Sequence, residues 1–417
     1  MKRTPTRIAA GVLCCTLAVS ALSSCGSSDD PNTLEVMTGM STGSAQLEAM
    51  QTLADRFEEE HPGVTINLLP GTTSYEQDLR VRLAGRNPPD IWNTHGWSRD
   101  RYANFLEPLQ DRAWADRLND VMDTSMRDED GAFYALPLDI AVTGIIYNKD
   151  VLQEAGVDPL AIDGWDDFSD ACAAVAALGK TCIGASGKET WTGGNVIDYA
   201  APGVYTDDEL ERLQDGEFPA EPFTQLAEMI ADWREAGYFN VDYTSATSDD
   251  IARLMATDDL AFAFQTNGMT QTVQQYDPDA NLGFIAFPSQ TGEPYLVTGE
   301  DYALGVSNTS ASKDLALEFI DFVAQPENMA VFAPVVNNAS AFDDVEPSLG
   351  VVADSYDYWV NERQTRTIPI FDRVYLPNGM WNTMTTTADG LITGQIDPEG
   401  ATEQMETSFI SLYRKTA

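Results

Sequence analysis

Apolar positions along this chain switch between two periods. Thr33–Thr38 alternates apolar and polar residues as a strand does, and Leu47, Met50, Leu53, Ala54 and Phe57 then fall on one face of a helix. His61-Pro62-Gly63 ends that helix, and Val64–Leu69 alternates as a second strand. Ile140–Tyr147 is an apolar run rich in β-branched residues and too short for a free-standing helix, so it predicts one buried strand. Asn148 breaks the run and is placed to cap the next turn; a short helix follows, closed by Gly156. Phe168, Cys172, Val175 and Leu178 predict a buried helix face, capped by Asp166 and with Trp165 packed on its first turn. Phe223, Leu226, Ala227, Ile230 and Trp233 predict another, with Trp233 in the core. Leu282–Pro288 reads as a strand. Ser312 is placed to cap a helix over Lys313–Ala324, and the tail after Asn337 reads as helical and polar. Strands alternating with helices give an α/β fold, whose sheets bind ligands at the carboxyl ends of their strands. There is no internal repeat.

Composition narrows the class. A chain of 417 residues has room for two domains of ordinary size, and 43% hydrophobic with 10% aromatic residues describes a globular protein. The formal net charge of −42 opposes binding to nucleic acid or anionic lipid and argues against an anionic ligand, although a solvated surface accounts for most of the acid excess. Two histidines in all argue against a His-based zinc site, and no metal or cofactor is expected. Arg127–Gly131 lacks the first and last ligands of a calcium loop and reads as a hairpin turn at Asp130-Gly131.

The first residues read as a processing signal: a basic stretch with Lys2, Arg3 and Arg7, then an apolar run, Ile8–Leu22, short for a membrane span. Leu22-Ser23-Ser24-Cys25 resembles the lipobox of bacterial lipoproteins. The resemblance implies a signal peptide over 1–24, lipid on the Cys25 sulfur, a tether over 25–32, and a location on the extracellular face of the bacterial cytoplasmic membrane. A plain secretory signal or a signal anchor is the alternative. With Cys14 and Cys15 lost and Cys25 lipidated, Cys172 and Cys182 form the one possible intramolecular pair; the alternative is two buried thiols. Closing their ten-residue loop would contribute roughly 2–3 kcal/mol.

Leu136–Gly156, and Tyr147-Asn148-Lys149-Asp150 within it, resembles the family of extracellular solute-binding proteins that feed carbohydrate ABC transporters (family 1, maltose/oligosaccharide-binding-protein-like). Four further segments carry the resemblance: Pro89-Asp90-Ile91, Trp165–Phe168, Asn267-Gly268, and Ser312-Lys313 through Phe319 and Phe322 to Pro326-Glu327-Asn328, the most specific of them. It implies a two-lobed periplasmic-binding-protein-like α/β fold with a hinge and an interlobe ligand cleft. The implied lobes are 33–141 plus 288–310 and 142–287 plus 311–417. The implied partners are a carbohydrate, permease subunits and, through the anchor, the membrane; a monomer is expected.

The same resemblance nominates ligand-binding residues. Ser41 and Thr42 lie in the first loop, although turn formation and helix capping explain that loop equally. Asn93, His95 and Trp97 follow the Pro-Asp-Ile strand. Asp139, Glu189, Trp191, Asn267, Gly299, Glu300, Asp301, Trp381 and Asn382 complete the set. Indole rings suit the apolar face of a pyranose, and amides and carboxylates suit its hydroxyls. Several aromatic residues, with Phe371 and Tyr375 near Trp381, favour an oligosaccharide over a monosaccharide. Met269 stands where the family has an aromatic residue. The competing class is a cell-surface glycosidase drawing two carboxylates from Asp139, Glu189, Glu300 and Asp301. With 66 acidic residues such pairs arise by chance, and no nucleophile or metalloprotease motif accompanies them, so no enzyme is expected.

Overall fold

The computed structural model describes residues 31–71, 75–94, 99–119, 122, 126–128, 130–300, 302–332, 335 and 337–416, and of residues 76, 100, 101, 190, 191, 415 and 416 the backbone alone. Among the described residues, strands form three sheets. The first contains β1 (Thr33–Ser41), β2 (Thr65–Gly71), β3 (Ile91–Thr94), β4 (Leu136–Pro137) and β11 (Ala303–Val306), in the order β2-β1-β3-β11-β4. β1 runs parallel to both β2 and β3, as strand–helix–strand connections require. The helix Ala45–Glu60 covers this sheet with Met50, Leu53, Ala54 and Phe57 buried, and Ser44 caps it by accepting from the Leu47 amide at 3.2 Å.

A second sheet contains β6 (Ile145–Asn148), β7 (Thr181–Gly184), β8 (Leu260–Ala263) and β9 (Leu282–Ile285), in the order β7-β8-β6-β9. Its core is aromatic: Phe168 lies 4.9 Å from Phe262 and 5.3 Å from Trp233, and Trp165 lies 5.8 Å from Trp233. Trp165 and Trp233 are therefore core residues. Asn148 ties the sheet to the next helix: its Oδ1 accepts from the amides of Asp150 and Val151, and its Nδ2 donates to the Met255 carbonyl and the Asp258 carboxylate. Cys172 and Cys182 are joined in a disulfide, with Cα atoms 5.1 Å apart, pinning the helix Trp165–Ala177 to β7.

The third sheet joins these two bodies. It contains β5 (Asp139–Thr143), β10 (Leu296–Gly299), β12 (Ala339–Ser340) and β13 (Thr367–Pro369), in the order β12-β5-β10-β13. The apolar run expected to form one strand is thus two, β5 and β6, in different sheets. The break falls at Gly144, where a Cβ would stand 1.8 Å from the Ile285 carbonyl oxygen. Only glycine permits this approach of two backbones. Periodicity could not show the break, because both halves are fully buried.

Other expectations need correcting. Residues 313–332 pack against the first body, not the second: Phe57 meets Phe319 and Phe322 edge-on at 5.1 and 5.3 Å, and the Nε of Arg112 and the indole N–H of Trp114 both donate to Asp321. The apolar face of Lys313–Val323 was legible, but not which sheet it covers. Ser312 does not cap this helix; its hydroxyl donates to the Pro31 carbonyl. The carboxylate capping Trp165–Ala177 is Asp167, which accepts from the Gly164 amide at 2.9 Å, and Leu178 is 39% exposed because the helix ends there. The tail is not all helical, since β13 adds a parallel edge strand to β10.

Two outcomes test this account. Gly144→Ala should lower stability by about 3 kcal/mol, seen as a melting temperature several degrees lower. Replacing Cys172 and Cys182 together by serine should cost about 2–3 kcal/mol in chemical denaturation, with little change in the folded circular dichroism spectrum.

Candidate ligand-binding site

At the carboxyl edge of the first sheet, Ser41 and Thr42 are exposed where β1 ends. Asn93 is buried on β3, with its Nδ2 2.9 Å from where a Cβ on Gly39 would stand. Its Oδ1 has no hydrogen-bond partner among the described residues. The Tyr75 hydroxyl holds the strand below it, 2.7 Å from the Asn93 carbonyl and 3.2 Å from that of Met37. A buried amide oxygen left unpaired costs free energy, so Asn93 is a fitting place for a polar ligand group. His95, Trp97 and Asp301 lie outside the described residues.

In the second body, the helices Thr190–Ala200 and Met380–Thr393 pack side by side. Gly194 permits this contact: a Cβ there would meet Thr385 at 2.6 Å and the Trp381 ring at 3.4 Å. Trp381 is half-buried in the first turn of its helix, and Asn382 beside it is exposed. The backbone places Trp191 one turn before Gly194, on the helix against which Trp381 rests. Tyr243 packs on the neighbouring Gly193. Burial and the Asp389 carboxylate push its phenol well up, so it remains a donor. Met269, in place of the expected aromatic, is half-buried against the core.

Five nominated residues are committed to internal contacts. Asp139 is fully buried; its Oδ1 accepts from the Tyr302 amide at 3.0 Å and its Oδ2 from Asn338 Nδ2 at 2.7 Å. Asn267 is buried and donates to the Val142 carbonyl at 3.1 Å. Glu189 accepts from the amide and hydroxyl of Ser248, where the amide dipoles at the start of the helix Ser248–Ala256 favour a carboxylate. Gly299 does allow close approach, but to Ile370, 3.1 Å from where its Cβ would be. Glu300 is fully buried against Arg373, which donates to both its carbonyl and its carboxylate. Local sequence marks such residues as polar and near the right motifs; it does not show what covers them.

Arg373, Asn337 and Asn338 were missed. The adjacent amides of Asn337-Asn338 amid small and apolar residues were the available signal for two of them. Arg373 also bears on Asp198. Asp198 is buried on Thr190–Ala200 and accepts from the Asp372 amide at 2.8 Å. Burial first, and then the Asp372 charge, raise its carboxyl well above the ordinary range; the Asp372 amide and Arg373 pull the other way.

A search for relatives places these features in one family. A model of the bacterial extracellular solute-binding proteins matches residues 42–330. The chain belongs to that family. The melibiose/raffinose/stachyose-binding protein of Bacillus subtilis (strain 168) is 30% identical over 394 residues, 92% of this chain and 91% of its own. Among solved structures, a Bacillus licheniformis sugar transporter protein in complex with stachyose superimposes with a TM-score of 0.82 at 28% identity, covering 91% of this chain and all of the other. A Bacillus subtilis binding protein in an open conformation gives 0.80 at 27% identity, covering 92% and 98%. The fold is that of a two-lobed solute-binding protein, and the chain is a receptor rather than an enzyme. Asp139, Glu189 and Glu300 accordingly serve structure, and the glycosidase alternative falls.

Asp198 supplies a pH test. Its raised folded-state pKa means that the unfolded chain loses this proton first as pH rises. The stability it contributes is full below the ordinary carboxyl range and is lost as pH climbs toward the folded value. Asp198→Asn cannot ionise. It should melt higher than the parent at neutral pH, and the gap should close in thermal melts taken below the ordinary carboxyl range.

Proposed function

We propose that the chain is the substrate-binding lipoprotein of an ABC importer, capturing a neutral oligosaccharide outside the cell and delivering it to the permease. The observation that carries this reading is similarity along nearly the whole chain to a relative named for melibiose, raffinose and stachyose and to a structure holding stachyose. The site chemistry agrees with it. An unpaired buried amide at Asn93 suits a hydroxyl, and an indole at Trp381 suits a sugar face. Arg373, near the nominated segment, is held by Glu300 and so is not offered to an anion.

In this proposal the ligand binds between the lobes, reached from the first by Ser41, Thr42, Asn93, His95 and Trp97, from the second by Trp191, Trp381 and Asn382, and from the connecting segment before β11 by Asp301. The first lobe is 33–137 with 303–332, the second is 145–287 with 350–416, and the segments between are hinge. Lipid on Cys25 holds a monomer at the outer face of the membrane, where the tether raises its effective concentration at the permease.

Intrinsic tryptophan fluorescence of the protein should change saturably with raffinose or stachyose, and chromatography should recover both sugars intact after overnight incubation. Trp381→Ala should weaken binding by about 10- to 100-fold, with the melting temperature lowered by a few degrees because the ring also packs on the core. No fluorescence change and no heat of binding with either sugar would overturn the proposed ligand class.

A further inference from the structure

Three passages of chain between the two bodies meet in the third sheet: β5, the segment from β10 to Tyr302, and the segment holding Asn337, Asn338 and β12. Buried polar side chains connect all three. The Thr143 hydroxyl is shared among the Gly144 carbonyl at 3.2 Å, the Gln265 carbonyl at 3.3 Å and Asn267 Oδ1 at 3.4 Å. Asn267 Nδ2 faces Asn338 Oδ1 and the Asn337 carbonyl, each at 3.4 Å, as well as the Val142 carbonyl. Asn338 Nδ2 donates to Asp139 Oδ2 at 2.7 Å, and Asp139 Oδ1 accepts from the Tyr302 amide at 3.0 Å. Donors and acceptors run in one direction: Thr143 to Asn267, Asn267 to Asn338, Asn338 to Asp139. Reversing Asn267 would set its oxygen against Asn338 Oδ1 and the Val142 carbonyl, and reversing Asn338 would set its oxygen against Asp139, so the order is fixed by the acceptor-only carbonyl and carboxylate groups. All four of these side chains are buried.

We propose that Thr143, Asn267, Asn338 and Asp139 form a hinge relay that sets the equilibrium between the interlobe arrangements, and that none of the four contacts the ligand. Asn267 is rooted in the second body, after β8. Asp139 begins β5 and bonds to Tyr302, the residue before β11 of the first sheet. A change in the angle between the bodies must therefore stretch or exchange bonds in the relay. Buried unsatisfied groups are expensive, so the relay favours discrete arrangements over a continuum. A residue acting in this way changes affinity for every ligand by the same factor, because it alters only the fraction of protein in the binding-competent state. A ligand contact changes the ratio between ligands.

The inference rests on the reading of the chain as a sugar receptor, but its first test needs no sugar. Asn338→Asp replaces a donor by an acceptor facing Asp139, and Thr143→Val deletes a hydroxyl at nearly constant volume. Small-angle X-ray scattering of the ligand-free proteins should show a radius of gyration altered by Asn338→Asp and, less strongly, by Thr143→Val. Titration with raffinose and stachyose should give dissociation constants shifted about tenfold or more for Asn338→Asp and about two- to fivefold for Thr143→Val, with the ratio between the sugars preserved. Scattering curves superimposable on the parent's, or a changed sugar ratio, would overturn the relay. If Asn338→Asp does not fold, Thr143→Val decides alone. Failure of the parent to bind either sugar counts against the ligand assignment, and the scattering still judges the hinge.

Discussion

Two backbones pass within van der Waals contact at Gly144, and the architecture depends on that passage. The chain leaves the third sheet at Thr143 and enters the second at Ile145, with the Ile285 carbonyl occupying the space a side chain would need. A larger residue would force β6 away from β9 and with it the start of the second body. Because β5 and β6 are consecutive, the passage from the third sheet to the second takes one residue. A link this short ties β5 closely to the start of the second body.

The same region resolves how acidic and amide side chains divide their work. A carboxylate or amide removed from water must find partners inside the protein. Asp139, Asn267 and Glu300 find theirs in the crossing segments, so residues that resemble a sugar site in sequence are committed to internal contacts. Asn93 differs: it is as buried as they are, yet its Oδ1 remains unpaired among the described residues. That contrast, together with the residue's place after the Pro-Asp-Ile strand, is why the proposed site keeps Asn93 and leaves out the other three.

The second body supplies a different surface. Gly193 and Gly194 lower the height of one helix so that Tyr243 on one side and Trp381 with Thr385 on the other can settle onto it. Trp381 rests in the first turn of its helix against Gly194, half-buried at the edge of the core. Asp198 lies buried in the helix beneath, its charge opposed by burial and by Asp372, so a neutral carboxyl suits this apolar contact.

The sequence by itself determined the periods of the elements, and so the α/β class, the buried faces around Phe57 and Phe168, the Asn148 cap and the core role of Trp233. Each depends on contacts a few residues apart. Family motifs spread along the chain added the two-lobed architecture and the receptor function, and pointed to Trp381 and Asn93. Tertiary structure alone decided the split of one apolar run at Gly144, the attachment of Lys313–Phe332 to the first body, and the fate of Asp139, Asn267 and Glu300. These are questions of which distant backbone or side chain occupies a given space. Hydrophobic pattern reports how strongly a position is buried, but burial is the same whichever partner supplies it. Polar residues carry the same ambiguity, because a donor or acceptor is satisfied equally by a ligand or by the chain itself, and only the folded arrangement shows which is present.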